Sequence, residues 1–254
     1  MKNDLKLDIF PHIFPQAFFG RMKRIAEANP ALAASIKRWL NIPVLWDLDA
    51  RIRMMGKFKG YQQILTLSLP AIEYLGGPEE SPALARLAND GMAEIVTAHP
   101  DRFPAFVASL PMNNVPAALE EMERAIAKLG AKGIQLFTNV NGRPLDDPEF
   151  YPVFERCVKK YDLPIWLHPV RTVKFADYPS KASRSTRSGG CSAGPTRLAP
   201  AWRASCSRAC CRGCRVSRSS RITSARWRRT STSVSVSAWT RWARALPTRT
   251  MAPC

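Results

Sequence analysis

Histidine is the residue type in this sequence that points most directly to chemistry, and it occurs three times, as His12, His99 and His168. His12 follows the strand-like run "LKLDIF", and His168 closes the apolar run "LPIWLHP". Imidazoles at strand ends that converge on one axis are candidate metal ligands, although a lone strand-end histidine can also be purely structural. His99, in "TAHPDRF", lies at a helix end before a proline, where we expect a capping role. The candidate metal-binding pair is therefore His12 and His168.

The elements that would position this pair alternate between strands and helices. Three apolar strand patterns and four helical patterns separate the two histidines, and strands this apolar are typical of a parallel sheet covered by helices. The sequence predicts an α/β protein with five β units in the first 168 residues, which fits a (β/α)₈ TIM barrel of which about strands 1–5 are encoded. The predicted helices include "DARIRMMGKFKG" and "SPALARLANDGMAEIVTAHP", the second with Ser81 as its N-cap. The predicted inner strands are "QQILTLSLP", "FPAFVASLP" and "GIQLF".

Composition changes abruptly near residue 180. Residues 1–180 hold 22 basic and all 20 acidic side chains, a net charge of +2, whereas residues 181–254 hold 16 basic residues and no acidic one. We therefore predict a folded domain over 1–180 and an irregular, disordered Arg/Ser/Cys-rich tail over 181–254. The amino terminus lacks a signal-peptide pattern and no run is apolar enough to span a membrane, so we expect a cytoplasmic protein without a membrane partner.

The tail carries two features that could imitate function. Its cysteines at Cys206, Cys210, Cys211 and Cys214 lack the second spaced pair, and the histidine, of a structural zinc module. Its positive charge would bind nucleic acid without specificity and with steep salt dependence. Nonspecific nucleic-acid binding is therefore the alternative function from another class, and no specific nucleic-acid partner is expected.

A family resemblance covers about residues 5–180. The stretch "RFPAFVASLPMNNVPAALEEMERAIAKLGAKGIQLFTNVNGRPLDDPEF", followed by "LPIWLHP", resembles the amidohydrolase-related family that contains aminocarboxymuconate-semialdehyde decarboxylase and resorcylate-type decarboxylases. The resemblance implies a (β/α)₈ barrel, a divalent metal (zinc, or manganese) and non-oxidative decarboxylation of an aromatic or unsaturated carboxylic acid. Metal-dependent hydrolysis of a lactone or amide is the alternative within the family. It also implies a small carboxylic acid as partner and a homo-oligomer of the family type.

The resemblance implies two metal ligands in this sequence and leaves other family positions unfilled. His168 matches the strand-five ligand and His12 the second histidine of an H-x-H pair, but Phe10 stands at the first position and cannot bind a metal. Asp8 would share a face with His12 in a regular strand, yet the two lie roughly 13 Å apart at the usual rise per residue, too far for one ion. The family's strand-six His and strand-eight Asp have no counterpart, so the catalytic residues stay unknown.

Three residues are candidates for substrate binding. Arg51, in "WDLDARIRMM", resembles a position that meets a substrate carboxylate in the decarboxylases, although a solvated helix-face arginine is the plain alternative. Asn139 and Asn141 follow strand four, where they could line the pocket or cap a loop.

The genetic code offers an explanation for the tail. Codons that spell "SGGCSAGPTR" (188–197), when regrouped one base earlier, spell I-W-W-V-F-G-W-P-Y-E, and the same offset over 214–233 yields a buried strand that ends in a His pair. One fixed offset thus restores apolar strands, acids and histidines back to about Lys181. We interpret residues 181–254 as the product of a frameshift, and predict that the chain as written lacks turnover.

Overall fold

The structure is a computed structural model, and it describes residues 5–170. The predicted tail over 181–254, with its four closely spaced cysteines, lies outside the described residues. Nine strands and seven α-helices lie within 5–170, and we number them in chain order. The strands are β1 (Lys6–Asp8), β2 (His12–Ile13), β3 (Tyr61–Leu67), β4 (Ala105–Phe106), β5 (Ala108–Ser109), β6 (Ile134–Phe137), β7 (Asn139–Val140), β8 (Arg143–Pro144) and β9 (Ile165–His168).

The helices alternate with these strands as the sequence predicts. Two of them, α1 and α2, lie in the Phe- and Pro-rich segment that carried no prediction, and α2 begins with an Asn29 side chain that accepts from Leu32 N. The last one is a composite, since a 3₁₀ turn precedes it and a π-helical turn, Arg156–Lys160, follows it. The α-helices are α1 (Gln16–Glu27), α2 (Pro30–Leu40), α3 (Leu48–Gly56), α4 (Ile72–Leu75), α5 (Ser81–Ala98), α6 (Val115–Ala127) and α7 (Tyr151–Glu155).

Parallel pairing makes five barrel strands in chain order. Strand one consists of β1 and β2, which both pair with β3, and strand three consists of β4, paired with β3, and β5, paired with β6. The strand β9 pairs with β6, while β7 and β8 form an antiparallel hairpin. This is the predicted first part of a (β/α)₈ barrel.

The two faces of the sheet have different neighbours. The outer face, represented by Leu65 and Leu67, packs in a buried cluster with side chains of α1 and α5. The inner face, represented by Ile64, Val107 and Trp166, forms its own cluster. The Trp166 indole Nε1 donates to Ile9 O at 2.9 Å, so strand five contacts strand one across the interior.

Of the two predictions about the ends of α5, the one for the N-cap is wrong and the one for the C-cap is confirmed. Ser81 is not the N-cap of α5, because the chain is already turned there: Ser81 N donates to Gly77 O, and the cap is Glu80. The Ser81 hydroxyl donates to Asn113 Oδ1 at 2.6 Å. His99 does lie at the C-cap of the same helix, where its backbone N–H donates to Ile95 O. Within residues 5–170, no helix has the length and apolar character that a membrane crossing requires.

Candidate metal centre

The structure brings His12 and His168 together at the carboxyl ends of strands one and five. Their Nε2 atoms lie 3.2 Å apart, and their rings are tilted by 53° with centroids 4.8 Å apart. The carboxyl ends of barrel strands are where active sites of this architecture lie. The pair expected from the sequence is therefore a contact in the folded chain.

Hydrogen bonds at the other ring nitrogen fix the tautomer of His12. Its Nδ1 lies 2.8 Å from Thr66 Oγ1, and that hydroxyl donates its own hydrogen to Pro11 O at 2.7 Å. A hydroxyl has one hydrogen to donate, so Thr66 Oγ1 must accept from His12 Nδ1–H. Since a neutral imidazole carries one ring hydrogen, Nε2 of His12 bears a free lone pair.

The same reasoning applies to His168. Its Nδ1 lies 2.9 Å from Pro169 O, and a carbonyl oxygen accepts hydrogen bonds but donates none. His168 is thus protonated on Nδ1, and its Nε2 also bears a lone pair. Two acceptor nitrogens 3.2 Å apart cannot bond to each other, so a cation between or beside them would satisfy both. This donor set fits a divalent metal that favours imidazole.

Burial keeps both rings neutral. Desolvation, with smaller contributions from the charges of His168 and Arg51, lowers the pKa of His12 to about 4, although Asp8 and the backbone carbonyl of Leu67 act to raise it. Desolvation also lowers the pKa of His168, against the opposing effect of its bond to Pro169 O. Neutral imidazole is the form that ligates a metal, so both ligands are available at neutral pH.

Strand one contains a bulge that corrects the expectation for Asp8. Asp8 pairs with Gln63, and His12 pairs with Thr66. Strand one therefore advances four residues over a length in which β3 advances three, so strand one contains one extra residue. An extra residue moves the side chains on either side of it to opposite faces. Asp8 therefore does not share a face with His12, and its carboxylate accepts from Tyr61 Oη at 2.8 Å instead.

Phe10, which the resemblance aligns with a family ligand, lies on the inner face beside His12. Its ring meets the His12 ring edge-on, with centroids 6.4 Å apart, and it packs on the inner-face cluster. Across residues 5–170, no group of three or more His, Cys, Asp or Glu side chains is placed to hold a metal. The described part of the site thus offers two candidate ligands, His12 and His168.

Arg51 lies in α3, on the outer side of the sheet, and is 3% exposed. Each of its three guanidinium nitrogens donates to the protein: Nε to Val44 O, Nη1 to Gln63 Oε1, and Nη2 to His12 O. Burial lowers the pKa of Arg51 to about 10, which leaves it charged at neutral pH. The structure therefore places Arg51 against the backbone of His12.

Asn139 and Asn141 lie in and after β7, at the same end of the sheet as His168. The Asn139 amide accepts from Gly142 N at 2.9 Å and donates to Val170 O at 3.3 Å. Asn141, with φ at 50°, donates to Glu73 O at 3.2 Å. Both amides connect loops of the described structure, and their contact with a substrate stays a prediction.

Two residues of this region carried no signal in the sequence. Thr66 reads as one more residue of a buried strand, and only the fold brings it to His12 Nδ1. Glu73, in α4, is 6% exposed and its Oε1 has no hydrogen-bond partner within 5–170. Desolvation raises the pKa of Glu73 to about 7, so burial leaves this carboxyl group partly protonated at neutral pH.

Comparison with known proteins decides the family. The amidohydrolase family model matches residues 43–208, more than half of the chain. The chain belongs to the amidohydrolase family. The resemblance stated from the sequence is thereby confirmed, and the family match extends past Lys181, so the frameshift stays a prediction.

Relatives of this amidohydrolase include several decarboxylases. The chain is 36% identical over 124 residues to 2-amino-3-carboxymuconate-6-semialdehyde decarboxylase of Dictyostelium discoideum, which covers 49% of this chain and 34% of that protein. It is 35% identical over 130 residues to gamma-resorcylate decarboxylase of Rhodococcus jostii, covering 48% of this chain and 39% of the relative. The chain thus spans between a third and two fifths of these relatives' lengths.

Solved structures agree on the fold of this amidohydrolase. The 2,6-dihydroxybenzoate decarboxylase from Rhizobium matches with a TM-score of 0.54 at 27% identity, over 67% of this chain and 51% of that one. A dihydroxybenzoic acid decarboxylase from Polaromonas with bound manganese matches with the same TM-score, identity and coverage. The predicted TIM-barrel architecture is confirmed, with about half of such a barrel covered.

Proposed function

We propose that this amidohydrolase derives from a metal-dependent decarboxylase that acts on a small aromatic or unsaturated carboxylic acid. The observation that carries the proposal is the pair of bare imidazole nitrogens, His12 Nε2 and His168 Nε2, 3.2 Å apart at the carboxyl end of the barrel. The named activities of the relatives supply the reaction class, since they decarboxylate resorcylate, dihydroxybenzoate or a muconate semialdehyde.

His12 and His168 would hold the metal, with zinc as the proposed ion and manganese as the alternative that the Polaromonas neighbour supports. A bound divalent metal supplies Lewis acidity that polarises an oxygen beside the departing carboxylate. The protein's part is to keep both Nε2 atoms unprotonated and aimed at one point. It does so through the Thr66 and Pro169 contacts at the two Nδ1 atoms.

The remaining proposals rest on the sequence. A third ligand and the general acid–base residues would come from barrel strands beyond strand five, outside the described residues. We propose that residues 181–254 arise from a frameshift near Lys181, so that the chain as written has no turnover. We also propose that the protein with its reading frame restored is a cytoplasmic homo-oligomer. Hydrolysis of a lactone or amide stays the second candidate, and the basic tail would bind nucleic acid only nonspecifically.

Three proteins test this proposal side by side: the full chain, a version with the reading frame restored at codon 181, and the restored version with His168→Gln. Each is assayed for bound zinc or manganese and for carbon dioxide released from 2,6-dihydroxybenzoate. We expect turnover, and about one metal per chain retained through purification, only in the restored version, because catalytic zinc usually has three protein ligands. The two histidines of the chain as written should bind added metal weakly, so that binding is seen only by titration. Full activity in the chain as written, or none after restoration with metal bound, would contradict the proposal.

A further inference from the structure

The bulge in strand one is held from the outer face of the sheet by four polar side chains. Asp8 Oδ2 accepts from Tyr61 Oη at 2.8 Å, and Tyr61 Oη accepts from Gln63 Nε2 at 3.0 Å. Gln63 Oε1 in turn accepts from Arg51 Nη1 at 2.7 Å. We call Asp8, Tyr61, Gln63 and Arg51 the outer-face network.

Both ends of the outer-face network bind the bulged backbone. At one end, Asp8 Oδ1 accepts from Phe10 N at 3.0 Å, inside the bulge itself. At the other end, Arg51 Nη2 donates to His12 O. The network therefore binds the backbone at two points, Phe10 N inside the bulge and His12 O at its end.

This backbone decides where the His12 side chain points. With the bulge, Asp8 faces outward and His12 inward, whereas pairing in the β1 register would turn His12 to the outer face. The strand β2 has two residues, and the carbonyls on either side of His12 face β3: Pro11 O accepts from Thr66 N, and Ile13 O accepts from Ser68 N. The carbonyl of His12 points the other way, and Arg51 is its partner within the described residues.

We propose that Arg51 is a positioning residue: with Asp8, Tyr61 and Gln63 it holds the strand-one bulge that turns His12 into the barrel. The proposal rests on the proposed metal site at His12 and His168. It gives Arg51 a different role from the substrate contact suggested by family resemblance, because all three guanidinium nitrogens already donate to protein acceptors on the opposite face from the His pair.

Lysine cannot replace arginine in this role. A guanidinium presents donors on three nitrogens in a planar fork, so it can donate to Val44 O, Gln63 Oε1 and His12 O at once. An ammonium has all its donors on one nitrogen and cannot reach three separate acceptors. Arg53 lies in the same helix with an exposed side chain, and it provides a matched control for loss of an arginine from α3.

The test uses the full chain and the variants Arg51→Met, Arg51→Lys, Tyr61→Phe and Arg53→Met. Long-range ¹H–¹⁵N spectra of the histidine side chains, recorded without metal, report the tautomer and surroundings of His12 and His168. Calorimetric titration with cobalt(II) reports the site, and titration with 2-hydroxybenzoate reports carboxylate binding.

For Arg51→Met we expect altered His12 signals and a cobalt affinity lower by about tenfold to a hundredfold, the range for residues that orient metal ligands. Arg51→Lys should restore little of it, Tyr61→Phe should lower the affinity by a smaller factor, and Arg53→Met should leave it unchanged. If Arg51→Met fails to fold, altered His12 signals in Tyr61→Phe would support the positioning role in its place.

Two results would overturn the positioning role. One is unchanged His12 signals and cobalt affinity in Arg51→Met, or in Tyr61→Phe if the first variant does not fold. The other is loss of 2-hydroxybenzoate binding alone, which would return Arg51 to substrate contact. A full chain that binds no cobalt would contradict the proposed metal site instead, and the metal-free His12 signals would still judge the role of Arg51.

Discussion

The two histidines of the site are held in different ways. His12 depends on distant parts of the chain, since its ring bonds to Thr66 and its carbonyl to Arg51. His168 ends a regular strand, and its Nδ1 bonds to the carbonyl of the next residue, Pro169. A ligand placed by a regular strand needs little beyond its own neighbours, whereas a ligand placed by a bulge needs support from several elements.

The largest effects on metal affinity should come from substitution of the two candidate ligand histidines. These variants test whether the bulge-held His12 and the strand-held His168 contribute equally to the site. We expect His12→Gln and His168→Gln each to lower metal affinity by more than the roughly tenfold to hundredfold typical of orienting residues. Titration with zinc measures both, and His99→Gln, at the C-cap of α5, serves as control. A variant that retained affinity would show that its histidine is structural.

A second prediction concerns the buried side-chain carboxyl group of Glu73. The backbone carbonyl of the same residue accepts a hydrogen bond from Asn141, in the loop on the His168 side. Its folded pKa, about 7, lies above the ordinary 4.5, so the fold favours the protonated form. The unfolding free energy should therefore fall as pH rises from about 4.5 through 7, by roughly 3 kcal/mol in total.

Glu73→Gln should remove most of this loss, because an amide stays neutral at every pH. Urea unfolding at pH 5 and pH 9 measures it, with Glu79→Gln, an exposed carboxylate in the same connection, as control. Equal pH dependence in the wild type and Glu73→Gln would mean that Glu73 ionises freely in the folded chain.

A third prediction sharpens the contrast between the two rings. Thr66→Val removes the acceptor of His12 Nδ1 and leaves the Pro169 contact of His168 intact. We expect His12 alone to lose its single tautomer, and metal affinity to fall by about tenfold. Thr66→Ser retains the hydroxyl and should behave as the wild type in the same side-chain spectra. Equal disturbance of both histidines would show that Thr66 acts on the fold as a whole.

The smallest effect is expected at the hairpin beyond strand four. Asn141→Ala removes the bond to Glu73 O and puts alanine at a positive φ that asparagine tolerates better, at a cost of about 1 kcal/mol. Asn141→Gly loses the bond but accepts the backbone conformation, so it should be less destabilised. Thermal unfolding compares the two. Loss of carboxylate binding without loss of stability would instead support the predicted substrate contact of Asn141.

The sequence could predict the strands, because continuous apolar runs such as that of β6 identify a sheet buried on both faces. It also placed His168, since a regular strand carries its last residue to the barrel rim. It could not reveal the bulge between Asp8 and His12, because a register change depends on the partner strand β3. The expected face of Asp8 was wrong for that reason.

Side-chain partners far apart in sequence were equally beyond prediction. Arg51 lies 39 residues from His12 and Thr66 lies 54 residues from it, and neither contact has a local signature. Helices α1 and α2 were missed because phenylalanine and proline dominate their segment and obscure the helical period. Position within the fold, and not residue type, gives these residues their part in the site.

The most direct test of the central claim is the tautomeric state of the two histidines, read from long-range ¹H–¹⁵N spectra of the metal-free full chain at pH 7 and again after addition of zinc. We expect His12 and His168 both to be neutral and protonated on Nδ1, and both Nε2 signals to shift together as zinc is added. A proton on Nε2 of either ring, or a zinc-dependent shift of one histidine without the other, would contradict it.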